Sequence, residues 1–249
     1  MIVSYLLPFF RKASLFRMML PVNDCFRHPD VEVVCVLDEP SDLIGVLETV
    51  SATPDVRFRV LVNDHPHPWR PPCIAYNVGI RQAEAAHVIL ADPESAIVMP
   101  SPDFPRILIE QDFRRCYAGI CWNETDIKLG DSPELIRHKI QVCEATDRIW
   151  MIAYGCLLAP KIALERVCGL DESRTQYGYD DLDIRARLIR LGNPLLVDAP
   201  IKVFHMYHLD TDREKCGSEL PGPNIQLTHQ RDTWGRDGAF RKVWDWRKD

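Results

Sequence analysis

No C-x-x-C pair occurs among the nine cysteines, which are scattered at positions 25, 35, 73, 116, 121, 143, 156, 168 and 216, mostly in apolar stretches. An odd set without metal-ligand spacing excludes a zinc module and a disulfide framework, and it reads as reduced thiols in a cytoplasmic protein. Net positive charge is also missing. With 36 acidic against 30 basic residues, the net charge of −6 provides no general field for holding a nucleic-acid backbone. Long hydrophobic runs are absent as well: the longest uncharged apolar stretch, Ile149 to Pro160, falls short of the ~20 residues that cross a bilayer. Met1 to Leu7 is apolar, but it has no basic segment before it and meets Pro8 too early for a signal peptide. No Gly/Ser linker, composition shift or internal repeat divides the 249 residues, which predicts one continuous domain.

What is present is an alternation of short β-branched runs with helical patterns. Ile2 to Leu7, Val31 to Leu37, Arg57 to Val62 and His87 to Ala91 predict strands. Between them, Leu43, Ile44, Leu47 and Val50 recur at helical spacing behind Ser41, and Cys73 to Ala86 predicts a second helix. Four strands joined in this way form a parallel sheet. Downstream, the pattern predicts a helix opened by Ser101 and Pro102, a strand from Arg115 to Trp122, and a loop or short helical excursion over Asn123 to Asp147. A strand near Trp150 to Leu158 and a helix from Pro160 to Val167 follow. Residues 209–238, rich in Asp, Gly, Pro and Thr, read as a lid or a plain surface loop. Beyond them, Phe240, Val243 and Trp244 share one face of a predicted terminal helix ringed by Arg241, Lys242, Arg247 and Lys248, which either docks on the body or touches a membrane.

Sheets of this kind bind ligands beyond the carboxyl ends of their strands. Here those positions are Pro8 to Arg11, Asp38 to Ser41, Asn63 to His65 (with Asp64), and Asp92 to Ser95. Their acidic rim suits a metal ion or ribose hydroxyls better than bare phosphate. Asp92-Pro93-Glu94 puts two carboxylates at a strand mouth, the oxygen ligands that Mg²⁺ or Mn²⁺ prefers; the same tripeptide also makes a turn capped by Asp92. Tyr177 to Asp183 concentrates Asp180, Asp181 and Asp183 before the amphipathic run Ile184, Leu188, Leu191. Asp180 as cap and Asp183 in the first turn account for two of these acids, whereas Asp181 is left for a general base on a hydroxyl. His205 and His208, three apart on a strand, face opposite sides; one of them completes a carboxylate-bound metal site or both are structural. Trp122, Asn123 and Trp150 offer sugar contacts through aromatic faces and an amide, or core packing.

Together these motifs, over about residues 2 to 208, resemble the GT-A-fold glycosyltransferases, in particular the inverting family 2 enzymes that use nucleotide-diphosphate sugars. Pro8-Phe9-Phe10-Arg11 is similar to the family's first turn, Asp38-Glu39-Pro40-Ser41 to its Asp-Asp-Gly-Ser turn, and Ala75-Tyr76-Asn77-Val78-Gly79-Ile80 to its Ala-Arg-Asn-x-Gly-Ile helix. Val88 to Glu94 resembles its Asp-x-Asp strand, with Glu in place of the second Asp. Cys168-Gly169-Leu170-Asp171-Glu172, Gly178-Tyr179-Asp180-Asp181-Leu182-Asp183 and Arg187-Leu188 look like its Gly-Gly-Phe-Asp-Glu, Gly-x-Glu-Asp-x-Asp and Arg-Leu signatures. Glu39-Pro40 and Tyr76 depart from the pattern at the nucleoside and diphosphate contacts.

The resemblance implies an α/β fold with a mixed, Rossmann-like central sheet flanked by helices, and a metal-dependent inverting transfer to an acceptor hydroxyl. It implies a donor-binding set of Pro8, Phe9, Arg11, Asp38, Asp64, Asn77 and Asp92, with Asp38 at the base or ribose. Asp92, Glu94 and His205 would hold Mn²⁺ or Mg²⁺, with His208 as the substitute ligand, and Asp181 would take the acceptor proton beside Asp180. A UDP-sugar donor and a glycan or lipid-linked acceptor in polysaccharide or glycoconjugate synthesis are the partners it implies. Two other readings stand beside it. A sugar-1-phosphate nucleotidyltransferase would need a Gly-rich basic loop after the first strand, which Leu7-Pro8-Phe9-Phe10 is not; a non-catalytic glycan-binding relative would bind nucleotide without turnover.

Overall fold

All seven residues of β1 (Val3–Phe9) are buried, because layers cover the strand on both faces. Its side chains divide with the period of two that a strand imposes. Val3, Tyr5, Leu7 and Phe9 enter a cluster with Phe16, Phe26 and Phe58, while Leu6 joins Val34, Val36 and Ile80 on the other face. The computed structural model describes residues 1–99, 101, 103–106, 116–145, 151–176, 178–193, 195–196, 201–206 and 231–248, with the side chains of 120–125, 151–155 and 195–196 outside that description.

The strands β1, β2 (Val31–Leu37), β3 (Phe58–Asn63) and β4 (His87–Leu90) are mutually parallel in the order β3-β2-β1-β4, as the sequence predicts. The sheet then becomes mixed. Beside β4 run β7 (Met151–Pro160), β6 (Cys116–Thr125), β9 (Lys202–Met206) and the edge strand β5 (Ser95–Val98), with antiparallel pairs β4–β7, β6–β7 and β5–β9. A short β8 (Leu195–Leu196) pairs with β6. Helices α1 (Ala13–Met19) and α2 (Leu43–Ser51) cover the face holding Phe9 through Phe16, Val46 and Val50. The face holding Leu6 is covered by α3 (Cys73–Gln82), α5 (Lys161–Arg166) and α6 (Asp180–Arg190). The stretch predicted as a loop or short excursion forms α4 (Pro133–Ala145), which Ser132 caps and which buries Ile136 and Ile140 against Leu15, Met19 and Phe204. The predicted helix after Ser101 is described at 104–106 alone, with Ser101 Oγ accepting from the Asp103 amide.

At the C-terminus the structure corrects the predicted helix. Phe240–Asp245 is a strand, β10, antiparallel to β3 at the sheet edge, with a register shift between Lys242 and Trp244. That irregularity gives the apolar residues a helix-like spacing while Val243 and Trp244 pack on one core cluster and Phe240 on the other. The basic residues around them have acidic partners: Arg241 with Asp64, Lys242 with Asp245, and Arg247 with Asp245 and Glu84. Among the described residues no helix is long and apolar enough to cross a membrane.

Candidate functional site

In the order β3-β2-β1-β4 the chain reverses its direction of strand addition between β1 and β4, and the crevice beyond their carboxyl ends is where such sheets hold ligands. After β1 the backbone turns through Arg11 at a left-handed φ of 58°, which no glycine relieves. Buried Asp42 fixes the next turn by accepting from the amides of Lys12 and Ala13, both at 2.9 Å. This aims Lys12 into the crevice, where its Nζ lies 3.1 Å from Glu94 Oε1. His205 on β9 approaches the same oxygen at 3.6 Å, because β9 pairs with the β5 strand that follows Glu94.

Asp92 completes this group and accepts from Tyr76 Oη at 3.4 Å; that hydroxyl also donates to the Ala91 carbonyl at 3.1 Å. Burial, and then the negative charge of Glu94, push the Asp92 carboxyl up to about 7, against the pull of His205 and Lys12. His205 loses basicity through burial, but the neighbouring carboxylates more than restore it and leave its pKa above the ordinary value. Asp180, at the start of α6, is pushed up to about 6 by burial and by the adjacent Asp181, and its charge is felt at Asp92. Asp181 is raised too, mainly by burial. Its Oδ1 accepts from the Leu182 amide at 2.8 Å, while its buried Oδ2 has no hydrogen-bond partner among the described residues.

Since Asp92 holds its proton to about pH 7 in the fold, the unfolded chain binds fewer protons between the ordinary carboxyl range and that value. Asp92 therefore lowers stability progressively as pH rises through this window, and by a constant amount above it. Asp92→Asn, melted without metal, should raise the thermal midpoint by several degrees at pH 8 and leave it nearly unchanged at pH 4. A shift of equal size at both pH values would refute that origin.

A second group lies beyond β2. Asp38, 3% exposed, receives Arg70 in a bidentate pair, Nη2 to Oδ1 at 2.6 Å and Nε to Oδ2 at 2.9 Å, and His67 Nε2 meets its backbone carbonyl at 2.6 Å. Burial would raise this carboxyl, but the bonds from Arg70 and His67 outweigh it and hold the pKa below the ordinary value. Phe10 stands beside the His67 ring, 5.8 Å between centroids, and Arg11 lies over Phe10 at 5.0 Å. Neighbouring Glu39 is buried and turns back to accept from the Ser41 amide and hydroxyl.

No family model and no curated protein matches this chain. Solved structures do. A mannosyltransferase from Pyrobaculum calidifontis, PcManGT, in complex with GDP-Man and Mn²⁺, aligns with a TM-score of 0.58 at 16% identity, over 82% of this chain and 56% of that one. TarS of S. aureus aligns with a TM-score of 0.55 at 15% identity, over 83% of this chain and 37% of its own. A TarS 1–349 structure in complex with UDP aligns at 0.57 and 16%, over 82% and 60%. The chain has a GT-A-like glycosyltransferase fold. It spans from about a third to under two thirds of the length of these structural neighbours.

The expected residues fall in several places in this fold. Asp92, Glu94 and His205 meet in the crevice, joined there by Lys12, which was not among the expected residues, and the electrostatic coupling of Asp92 to Asp180 ties the start of α6 to them. Pro8, Phe9, Asp64 and Asn77 of the expected donor-binding set make their described contacts elsewhere. Pro8 lies within β1 two residues beyond the last pair with β4, Leu6–Leu90, where its missing N–H costs no ladder bond. Phe9 packs edge-on against Phe16 at 5.1 Å, and exposed Asp64 pairs with Arg241 at 2.6 Å. Asn77 donates to the Leu170 carbonyl and to Glu172, both at 2.8 Å, and accepts from the Leu170 amide at 2.7 Å, so it fastens the chain before α6 to α3. Trp122 sits on β6 opposite Phe204, but its side chain lies outside the described residues, as do Asn123's side chain and all of Trp150 and His208.

The described end of the expected lid, 231–238, is docked. Trp234 is buried, Arg81 donates to its carbonyl and lies over its ring at 4.2 Å, and the Gly235 amide donates to Glu172 at 2.7 Å. Residues 209–230 lie outside the described residues. Sequence reasoning missed Lys12, His67 and Arg70. The run His65-Pro66-His67-Pro68-Trp69-Arg70, placed just after a strand, was the available signal for the last two.

Proposed function

We propose that this chain is a nucleotide-sugar-dependent glycosyltransferase that transfers a sugar, with inversion, to an acceptor hydroxyl in polysaccharide or glycoconjugate synthesis. The observation that carries this reading is the meeting of Lys12, Asp92, Glu94 and His205 at the β1–β4 crevice of a GT-A-like fold, next to the acids that open α6. The mannosyltransferase neighbour holds GDP-Man and Mn²⁺, and TarS holds UDP, which supports a nucleotide-sugar donor here.

Carboxylates and an imidazole are the right donors for Mn²⁺ or Mg²⁺. Among the described residues, however, no three His, Cys, Asp or Glu side chains are disposed to hold one ion. A hard cation in a phosphate site commonly takes one or two protein ligands and completes its shell with phosphate and water. Asp92, with His205, fits a cation that arrives with the diphosphate better than a preformed cage. Such a cation, when bound, would neutralise charge developing on the leaving diphosphate.

The chain's own residues supply the remaining steps. Asp38, kept ionised by Arg70, accepts hydrogen bonds from the nucleoside. Asp181 Oδ2 takes the acceptor's proton as the acceptor oxygen bonds to the anomeric carbon. The bond from that carbon to the diphosphate oxygen breaks, and its electron pair leaves with the nucleoside diphosphate. A single displacement inverts the centre. Asp180, Trp122 and Trp150 are the proposed contacts of a glycan or lipid-linked acceptor.

The test is titration calorimetry with UDP, GDP, CDP and dTDP in Mn²⁺, followed by incubation with the sugar-nucleotide of whichever base binds. One base should bind preferentially, UDP first among the candidates, and its sugar-nucleotide should release nucleoside diphosphate. Binding without transfer or hydrolysis would convert the reading into that of a binding domain.

A further inference from the structure

Lys12 is set more firmly than a surface lysine. The left-handed turn at Arg11 and the two amide bonds to Asp42 fix its Cα, and its side chain is 14% exposed against Glu94 at 6%. A buried lysine–glutamate pair is a poor source of stability, because desolvating both ions offsets most of their attraction. Placed at the β1–β4 crevice, the pair has another consequence: it puts a fixed positive charge among carboxylates that would otherwise repel a diphosphate. Both Asp92 and His205 feel that charge.

We propose that Lys12 is a diphosphate-binding residue of the donor site, an ammonium on a fixed backbone that holds Glu94 away from metal coordination and meets the donor diphosphate with or without a divalent ion. The proposal rests on the glycosyltransferase reading above. Glu94 is shared between Lys12 and His205, at 3.1 and 3.6 Å from the same oxygen. The ammonium is a point charge on a four-carbon stem, so it can swing from the carboxylate to a phosphate oxygen without any backbone movement. Arg11, at the position the sequence pattern singles out, is exposed and stacked on Phe10 instead.

The experiment is calorimetry of UDP, GDP, CDP and dTDP against the unaltered protein, Lys12→Met and Lys12→Arg, each in Mn²⁺ and in EDTA, with Mn²⁺ binding in the absence of nucleotide read by electron paramagnetic resonance. The unaltered protein should keep measurable binding of its preferred nucleotide in EDTA. Lys12→Met should weaken that EDTA-resistant binding about 10-fold to 100-fold, the range of one charge-assisted hydrogen bond, and Lys12→Arg should retain most of it. Mn²⁺ alone should bind Lys12→Met more tightly than the unaltered protein, since Glu94 becomes available to the ion. Nucleotide binding by the unaltered protein that vanishes entirely in EDTA overturns this proposal alone and needs no variant that must fold. Failure to bind any of the four nucleotides, with or without Mn²⁺, overturns the donor site and the proposal with it.

Discussion

Asp181→Asn is expected to reduce sugar transfer by about 10²–10⁴, the usual contribution of a general base, while nucleoside diphosphate affinity stays within a few-fold. The substitution is nearly isosteric. The amide oxygen can still accept from Leu182 as Oδ1 does, so the first turn of α6 should survive. What disappears is the proton acceptor at Oδ2, the buried oxygen with no partner among the described residues. Burial raises the Asp181 pKa, opposed by Arg185, so the transfer rate of the unaltered protein should fall on the acid side at a higher pH than an exposed aspartate would give. Single-turnover transfer and nucleotide calorimetry on the same preparation separate the two effects. Transfer by the variant at a rate comparable with the parent would remove Asp181 from the mechanism.

Asn77→Ala should produce the largest loss of stability among the residues near the site. It deletes three hydrogen bonds and leaves the Leu170 amide and carbonyl, both in the buried joint between α3 and the chain leading to α6, without their partner side chain. Hydrogen bonds lost by buried groups cost about 1–3 kcal/mol each, so a loss on the order of 3 kcal/mol is expected, a large share of a typical domain's stability. For a chain of this size the thermal midpoint should drop by roughly 10 °C. Gly169→Ala should act in the same direction, because a Cβ there would lie 2.1 Å from Asn77 Oδ1 at a positive φ of 65°. Calorimetric melting of both variants is the check. A midpoint for Asn77→Ala within 2 °C of the parent would show that the joint is held by something else. The same joint takes in Gly235 through Glu172, so its loss should also loosen the docked segment 231–238.

The first four strands were legible because each is a short β-branched run flanked by polar turns, and burial on both faces of a parallel sheet needs that pattern. The terminal strand was not. With a register shift between Lys242 and Trp244, Phe240, Val243 and Trp244 acquire the spacing of a helix face, and only the vacant edge of β3 decides that they form β10. The acids of the site were legible as residue types that follow strands or open a helix. Their partners were not, because a partner is chosen across the sheet. Asn77 lies in a run that resembles a glycosyltransferase motif, yet it is bonded to Leu170 and Glu172 and crowded by the glycines that let the chain approach it. Arg70 and His67 are distant in sequence from Asp38 and reach it because the chain after β3 folds back over the end of β2.

By itself the sequence determined the order of strands and helices in the first half and the acidic character of the rim, since these follow from local periodicity and composition. Only the tertiary structure decided which charges share a low-dielectric crevice. Lys12 and Glu94 lie far apart in the chain, and what brings them together is the adjacency of β1 and β4, a long-range pairing that no local pattern encodes.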